Sequence, residues 1–281
     1  MHATLPATDR PAVIHPTAII EPGAKVAAGV QVGPWCHVGA DVTLGAGTRL
    51  VSHVVVDGHT TVGEGVVLYP FCTVGLAPQD LKYRGEPTRC VIGARTQIRE
   101  HCTIHRGTVT GSGVTRVGEG CLLMAVVHVA HDCVVGDGVV IANNVVMGGH
   151  VTIGAGAVIG GSAALHQFVR IGRGAMVGGV SGVEADVIPF GSVIGNRARL
   201  AGLNVIGLRR RGVDREGLMR LRAVVQDLFS GTGVFSTRLE SARTAYGADP
   251  LVAEVLAFID APSKRGLIRA STSTLESTEA I

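Results

Sequence analysis

The stretch IHPTAIIEPGAKVAAGVQVGPWCHVGADVTLGAGTRLVSHVVVDGHTTVGEGVVLYPFCTV, residues 14–74, decides the fold. An aliphatic residue returns at every sixth position: Ile14, Ile20, Val26, Val32, Val38, Leu44, Leu50, Val56, Val62, Leu68 and Val74. The same step resumes at Ile92, Ile98 and Ile104, slips by one residue, and runs again from Val117 through Leu123, Val129, Val135, Ile141, Met147, Ile153, Ile159, Leu165, Ile171 and Val177 to Val183, twenty-six repeats in all. Four residues after the aliphatic comes a second small residue, as in Ala18, Ala24, Val30, Cys36, Val42 and Thr48, and later Cys133, Val139, Val145, Val151 and Ala157. The next position is glycine in thirteen repeats, which suits either a positive φ or a close approach of backbones. Such a unit is a short strand plus a corner. Three units close one triangular coil, so residues eighteen apart stack at the ~4.8 Å strand spacing, and the whole is a prism on the order of 40 Å long.

Composition agrees. The 281 residues include 40 glycines, about twice the ~7% of average usage, and only 4% aromatics, so small branched side chains fill the core. The glycines follow no Gly-X-Y period, which excludes collagen, and 46% apolar content excludes a disordered chain. A net charge of +3 gives no reason to expect nucleic acid. The opening MHATLPATDRP has neither the basic flank nor the apolar block of a signal peptide, and no uninterrupted apolar run is long enough for a transmembrane helix. The expectation is a soluble, cytoplasmic protein.

The register also accounts for the cysteines. Cys36, Cys72, Cys102, Cys121 and Cys133 occupy the small inward slot and read as core packing, while Cys90 falls in an interruption and outside the register. Two insertions leave the coil, at residues 75–91 (with GLAPQDLKYRGEPTRC) and at the Gly/Ser/Thr-rich 107–116. Long loops on a rigid scaffold are where function concentrates. The division expected is a β-helix over residues 12–195, a helical domain over 196–269 and a disordered Ser/Thr-rich tail over 270–281. Within the helical domain, Asp214–Ser230 pairs an N-cap with Leu218, Leu221, Val225 and Leu228 at helical spacing, and further helices are expected at Thr237–Tyr246 and Pro250–Ile259.

Residues that the repeat does not require mark the chemistry. His105, His128, His131, His150 and His166 follow the first insertion, and the steps from 131 to 150 to 166 are near one coil each, so these side chains line one edge of the prism. Three readings stay open. An imidazole with an ordinary pKa near 6.5 can serve as general base toward a sugar hydroxyl attacking a thioester. Three imidazoles can hold zinc, as in hexapeptide-repeat carbonic anhydrases, although His128 and His131 point to opposite sides unless a corner lies between them. The third is a passive scaffold.

Local sequences narrow the choice. SHVVVDGHT, QDLKYRGEPT, IREHCTIHRGT, HVAHDC, ANNVVMGGHV, HQFVRIG and NVIGLRRRG resemble the acyl-carrier-protein-dependent UDP-N-acetylglucosamine O-acyltransferases of lipid A synthesis, within the hexapeptide-repeat acyltransferases, from about residue 12 to the RGLIR at 265–269. The resemblance implies a left-handed parallel β-helix followed by a small α-helical domain, a homotrimer, an acyl carrier protein bearing a 3-hydroxyacyl thioester as donor, and no cofactor or metal. With the repeat beginning by Ile14, the uridine-binding domain of the N-acylating relatives is not expected here.

The resemblance also implies roles. His131 matches the general base, Asp132 its orienting acid, and Gly149 the backbone N–H that holds the oxyanion. Neighbours on a strand point apart, so Asp132 reaches His131 only at a corner. Gln79, Asp80 and Lys82 match sugar contacts, and His128, His150, His166 and Gln167 match the nucleotide-sugar and acyl cleft. Asn204, Arg210 and Arg211 match uridine and diphosphate contacts, within a 195–222 stretch of eight Arg against one Asp and one Glu. Gly179, with Met176 and Arg197, matches the gauge of acyl length. Ile206 stands where an acidic residue is common, which leaves a ribose or uracil contact open, and Arg197 stands where a histidine is usual near the far end of the acyl groove. Val126 replaces a polar residue upstream of His128, so a 3-amino sugar acceptor stays open alongside the 3-hydroxyl.

Overall fold

A computed structural model describes residues 11–270. Two-residue strands follow one another around three flat faces, from Val13–Ile14 to Gly182–Val183. They assemble into three sheets whose strands all pair in parallel, apart from the last pair of one sheet. Residues eighteen apart are direct partners, as in Val13↔Gln31 and Ile14↔Val32. Across the first insertion the partners are Val67↔Gln97, and across the second Gln97↔Leu122, so each insertion loops out while the ladder continues beneath it.

The inward slots are dry. Leu44, Leu68, Ile104, Leu123, Ile141 and Ile159 are fully buried, and each layer of three aliphatics with its small companions stacks on the next. The glycine after the aliphatic answers to close approach. A Cβ on Gly33 would stand 1.8 Å from the Val51 carbonyl oxygen, and one on Gly45 2.7 Å from the Glu64 nitrogen. Positive φ falls two residues later in the repeat, at Gly47, Gly138 and Gly156, and also at residues that carry side chains: Trp35, His53 and Asp132. Non-glycine residues held in that left-handed region are strained and concentrate at functional sites.

Cys90 corrects the expectation. It lies on the strand Arg89–Ile92, opposite Thr60 and Thr115, two residues before Ile92, and it is fully buried. That is the inward slot of the other five cysteines; counting forward across the insertion hides it, and counting back from Ile92 finds it. The insertion ends are likewise strand: Thr73–Leu76 and Arg89–Ile92 flank the first loop, and Thr103–His105 and Val114–Val117 the second.

The coil ends where Gly191–Ile194 pairs in parallel with Met176–Val177 and turns back through the antiparallel strand Arg199–Leu203. Four helices follow: α1 (Val205–Arg210), α2 (Arg215–Ser230), α3 (Phe235–Tyr246) and α4 (Pro250–Asp260). The short α1 is an addition to the three helices expected. Its signal is Asn204, whose side-chain oxygen accepts the Gly207 N–H at 2.9 Å. Asp214 caps α2 through Gly217, and the four apolar residues anticipated on that helix are all buried. Helix α4 is fastened to the prism by a paired-fork contact of Arg173 with Glu254, and Arg170 stacks on Phe258 at 4.4 Å. Arg170 also meets the fully buried Asp186 at 2.7 Å, and Asp186 bridges to Leu267, so the chain returns to the coil after α4. Ala270 bridges Leu200 and is therefore part of the fold; the rest of the tail expectation falls outside the described residues. No helix among the described residues is long and apolar enough to cross a membrane.

Candidate active site

Three successive coils present Asp132, His150 and Phe168 at the same corner, each with φ near +60°. Because the chain turns there, His131 and Asp132 do not point apart as neighbours on a strand would. His131 Nδ1 lies 2.8 Å from Asp132 Oδ2. Burial alone would raise the Asp132 carboxyl, but hydrogen bonds from Thr108 and His131 outweigh it and hold it below the usual range. The carboxylate is thus the acceptor and Nδ1 carries the proton, which directs the basic lone pair of Nε2 outward, without a hydrogen-bond partner among the described residues.

The rest of the edge surrounds this pair. His150 meets His131 edge to face at 5.1 Å and stacks flat on Phe168 at 4.4 Å. Lys264, on the returning C-terminal segment, places Nζ 4.1 Å from the Phe168 ring centroid. Burial holds His150 below the ordinary imidazole range, with Asp132 and Asp80 opposing and His131 and Lys264 adding to the effect. His128 bonds Thr103 Oγ1 through Nδ1 at 2.7 Å and meets the His105 ring at 5.0 Å. His105 is only 6% exposed, with Nδ1 unpartnered among the described residues, and burial followed by the neighbouring imidazoles pushes it down to about 4. Both stay uncharged near neutrality. Gly149 lies against the His131 ring, and its N–H meets no acceptor among the described residues.

His131, Asp132 and His150 come within 4.8 Å of one another, a spacing that could hold a cation. The donor set argues for hydrogen bonding instead. Both Asp132 oxygens are already taken, by the Thr108 and Gly113 N–H groups, the Thr108 hydroxyl and His131. His128 is outside the trio, with a corner between it and His131.

Other anticipated residues are more dispersed. His166 contacts Arg265, whose Nε donates to the Gln167 carbonyl at 2.8 Å, so both belong to the next coil's rim rather than to the His131 cluster. In the first loop Gln79 and Lys82 are exposed and Asp80 is half-buried, its Oδ1 accepting the Lys82 N–H at 3.0 Å. The amide of Asn204 is engaged at both ends, capping α1 and donating to the Gly174 carbonyl. Arg211 donates to the Gly156 carbonyl at 2.7 Å, and Arg210 beside it is exposed. Gly179 and Met176 lie near the end of the coil, and Arg197 pairs with Glu184 at 3.5 Å. Thr103, Thr108, Phe168 and Arg265, which fall inside quoted stretches without an assigned role, and Ser112, Gly113 and Lys264, which fall outside them, are further parts of this edge.

Known proteins share this architecture. A family model described as "Udp N-acetylglucosamine O-acyltransferase; Domain 2" matches residues 186–268, and one described as "Bacterial transferase hexapeptide (six repeats)" matches 11–46 and 115–149. The acyl-[acyl-carrier-protein]–UDP-N-acetylglucosamine O-acyltransferase of Azorhizobium caulinodans is 58% identical over 82% of this chain and 85% of its own length. The one from Caulobacter vibrioides is 55% identical over 90% and 97%. The chain belongs to the acyl-[acyl-carrier-protein]–UDP-N-acetylglucosamine O-acyltransferase family. A solved structure of the Moraxella catarrhalis RH4 UDP-N-acetylglucosamine O-acyltransferase superposes with a TM-score of 0.88 at 43% identity, covering 91% of this chain and 99% of that one. With the family comes the hand of the coil, which the six-residue period cannot supply: it is the left-handed parallel β-helix, an exception to right-handed crossovers.

Proposed function

We propose that this protein transfers a 3-hydroxyacyl chain from an acyl carrier protein to the 3-hydroxyl of UDP-N-acetylglucosamine, the opening step of lipid A synthesis, by general-base catalysis at His131. The observation that carries the mechanism is the 2.8 Å bond from His131 Nδ1 to Asp132 Oδ2, which fixes the tautomer with Nε2 free. Nε2 removes the proton of the 3-hydroxyl as its oxygen attacks the thioester carbonyl. The Gly149 N–H steadies the tetrahedral oxyanion. Collapse expels the carrier's thiolate, and the imidazolium returns the proton to it. Transfer is direct, with no acyl-enzyme, and the burial of all six thiols supports this by leaving no cysteine to carry a thioester.

Around this centre, Gln79, Asp80 and Lys82 hold the sugar, with His128, His150, His166 and Gln167 along the cleft. Arg210 and Arg211 face the diphosphate, where guanidinium forks suit phosphate oxygens, and Asn204 orients the helix that carries Arg210. The acyl chain runs along the coil toward Gly179, Met176 and Arg197. From Val126 to Val180 is three coils, about 14 Å. A Cβ on Gly179 would meet only Gly161 within its immediate surroundings, which supports an open groove.

The protein works as a homotrimer in the cytoplasm. An uncovered aromatic edge supports assembly: Trp35 is 62% exposed, and Phe71, 50% exposed, is sandwiched between His53 and His101 with ring centroids 4.9 Å apart on either side. Exposed Val126 near His128 favours a second reading of the acceptor, in which a 3-amino sugar is acylated to an amide.

The test is acyl transfer from 3-hydroxyacyl carrier proteins of graded length to UDP-N-acetylglucosamine and to its 3-amino analogue. Turnover of the first acceptor supports the reading. Turnover of the amine alone moves it to N-acylation, and no turnover of either overturns it. Sedimentation of the protein at a monomer's mass would overturn the trimer.

A further inference from the structure

The second insertion makes one contact set that the repeat does not need. The direct partners on either side of it, Gln97 and Leu122, are twenty-five residues apart where an unbroken coil takes eighteen. The added chain folds back over the Asp132 carboxylate. The Thr108 N–H reaches both oxygens, at 3.1 and 3.2 Å, and the Thr108 hydroxyl donates to Oδ2 at 2.6 Å. The Gly113 N–H donates to Oδ1 at 3.1 Å, and Ser112 Oγ lies 3.2 Å from it, its single proton shared with the Val114 carbonyl at 2.9 Å. From below, the Thr115 hydroxyl accepts the N–H of Asp132 at 2.8 Å. Gly111 packs so closely that a Cβ there would stand 2.4 Å from the carboxylate.

Every donor in this cradle is neutral. A carboxylate accepts about four hydrogen bonds, and short O–H···O⁻ bonds of ~2.5–2.7 Å are among the stronger ones. An arginine would stabilise the anion too, but its charge would oppose an imidazolium forming on His131. Hydroxyls and amides fix the anion without that penalty.

We propose that the 106–113 loop is a positioning element for proton abstraction, with Thr108 its principal residue, holding Asp132 ionised and setting through Oδ2 how basic His131 is. This rests on His131 acting as the base. The Thr108 hydroxyl and His131 Nδ1 share Oδ2, so they compete for its electron density. Remove the hydroxyl and Oδ2 binds the imidazolium more tightly, which raises the pH at which His131 loses its proton. Among the described residues, the other charged or titratable groups around the pair are His150, 4.0 Å from Oδ2, His105 and His128 beside His131, Arg106 at the start of the loop, which acts on His105, the buried Cys133 thiol, and Asp80 and Lys264, which act on His150.

The experiment measures kcat/KM against pH for wild type, Thr108→Val, Thr108→Ser and His131→Ala, each checked for native circular dichroism. The expected result is an acid limb moved up by about one pH unit in Thr108→Val and restored in Thr108→Ser, because the serine keeps the hydroxyl. A merely structural loop would lower the rate at every pH without moving the limb. An unmoved limb in Thr108→Val, or a limb that serine does not restore, overturns the proposal even when His131→Ala is inactive. Undiminished transfer by His131→Ala would instead overturn the base assignment, and this inference with it.

Discussion

Gly149 packs against the His131 imidazole: a Cβ built on it would stand 2.5 Å from Cε1 and 2.7 Å from Nε2. No side chain fits there without turning the ring. Gly149→Ala is therefore expected to keep the fold and lower kcat by about 100-fold, the scale of a misplaced reacting group. Circular dichroism and steady-state transfer kinetics check this together. A near-wild-type rate would show that the ring tolerates displacement.

The six thiols are expected to be inert. Burial pushes Cys90 and Cys133 up to about 12, and none of the six exposes more than a trace of surface. Iodoacetamide should leave the intact mass and the activity unchanged, and alkylate all six only after denaturation. Inactivation by one label on folded protein would point to a covalent mechanism.

Stability is expected to fall on acidification. His105 sits near 4 in the folded chain against about 6.5 in an unfolded one, so between these values the unfolded chain binds the extra proton. This contribution is complete above pH 6.5, declines as pH falls toward about 4, and is on the order of 3 kcal/mol. His128 and His150, also lowered by burial, add in the same direction. Asp132, lowered from its usual value, adds a loss only below pH 3.8. Urea denaturation at pH 7, 5.5 and 4, with the His105 ring followed by NMR, checks the window.

Removing Asp186 is expected to loosen the C-terminal helices from the prism. It has no exposed surface, takes the Arg170 N–H and guanidinium through its carboxylate, and holds the 266–268 return through its backbone. Breaking a buried pair from one side costs about 3–5 kcal/mol. Asp186→Ala should lower the urea midpoint accordingly, and proteolysis should then begin beyond residue 195.

The coil was legible because each inward position repeats a local requirement. Ile14 to Val183 states the period, and even Cys90 obeys it once counted from Ile92. The pairing of His131 with Asp132 was legible only as a condition, that a corner lie between them; the positive φ of Asp132 meets it. The cradle was not legible. Thr108 and Ser112 lie more than a coil away from Asp132 in sequence, and a loop of Gly, Ser and Thr has no periodicity to state where it folds. Lys264 and Arg265 reach the same edge from about a hundred residues away, through a return that depends on how α4 docks. Asn204 carried a readable cap signal, but α1 behind it is too short for helical spacing to reveal.

The most direct measurement is single-turnover transfer from a 3-hydroxyacyl carrier protein to UDP-N-acetylglucosamine, by metal-free wild type and His131→Ala side by side. The account predicts full transfer by the metal-free wild type and a loss on the order of 10²–10⁴-fold in the variant, the usual contribution of a general base. Transfer that His131→Ala carries out at the wild-type rate, or that wild type performs only after a divalent metal is added back, would contradict it.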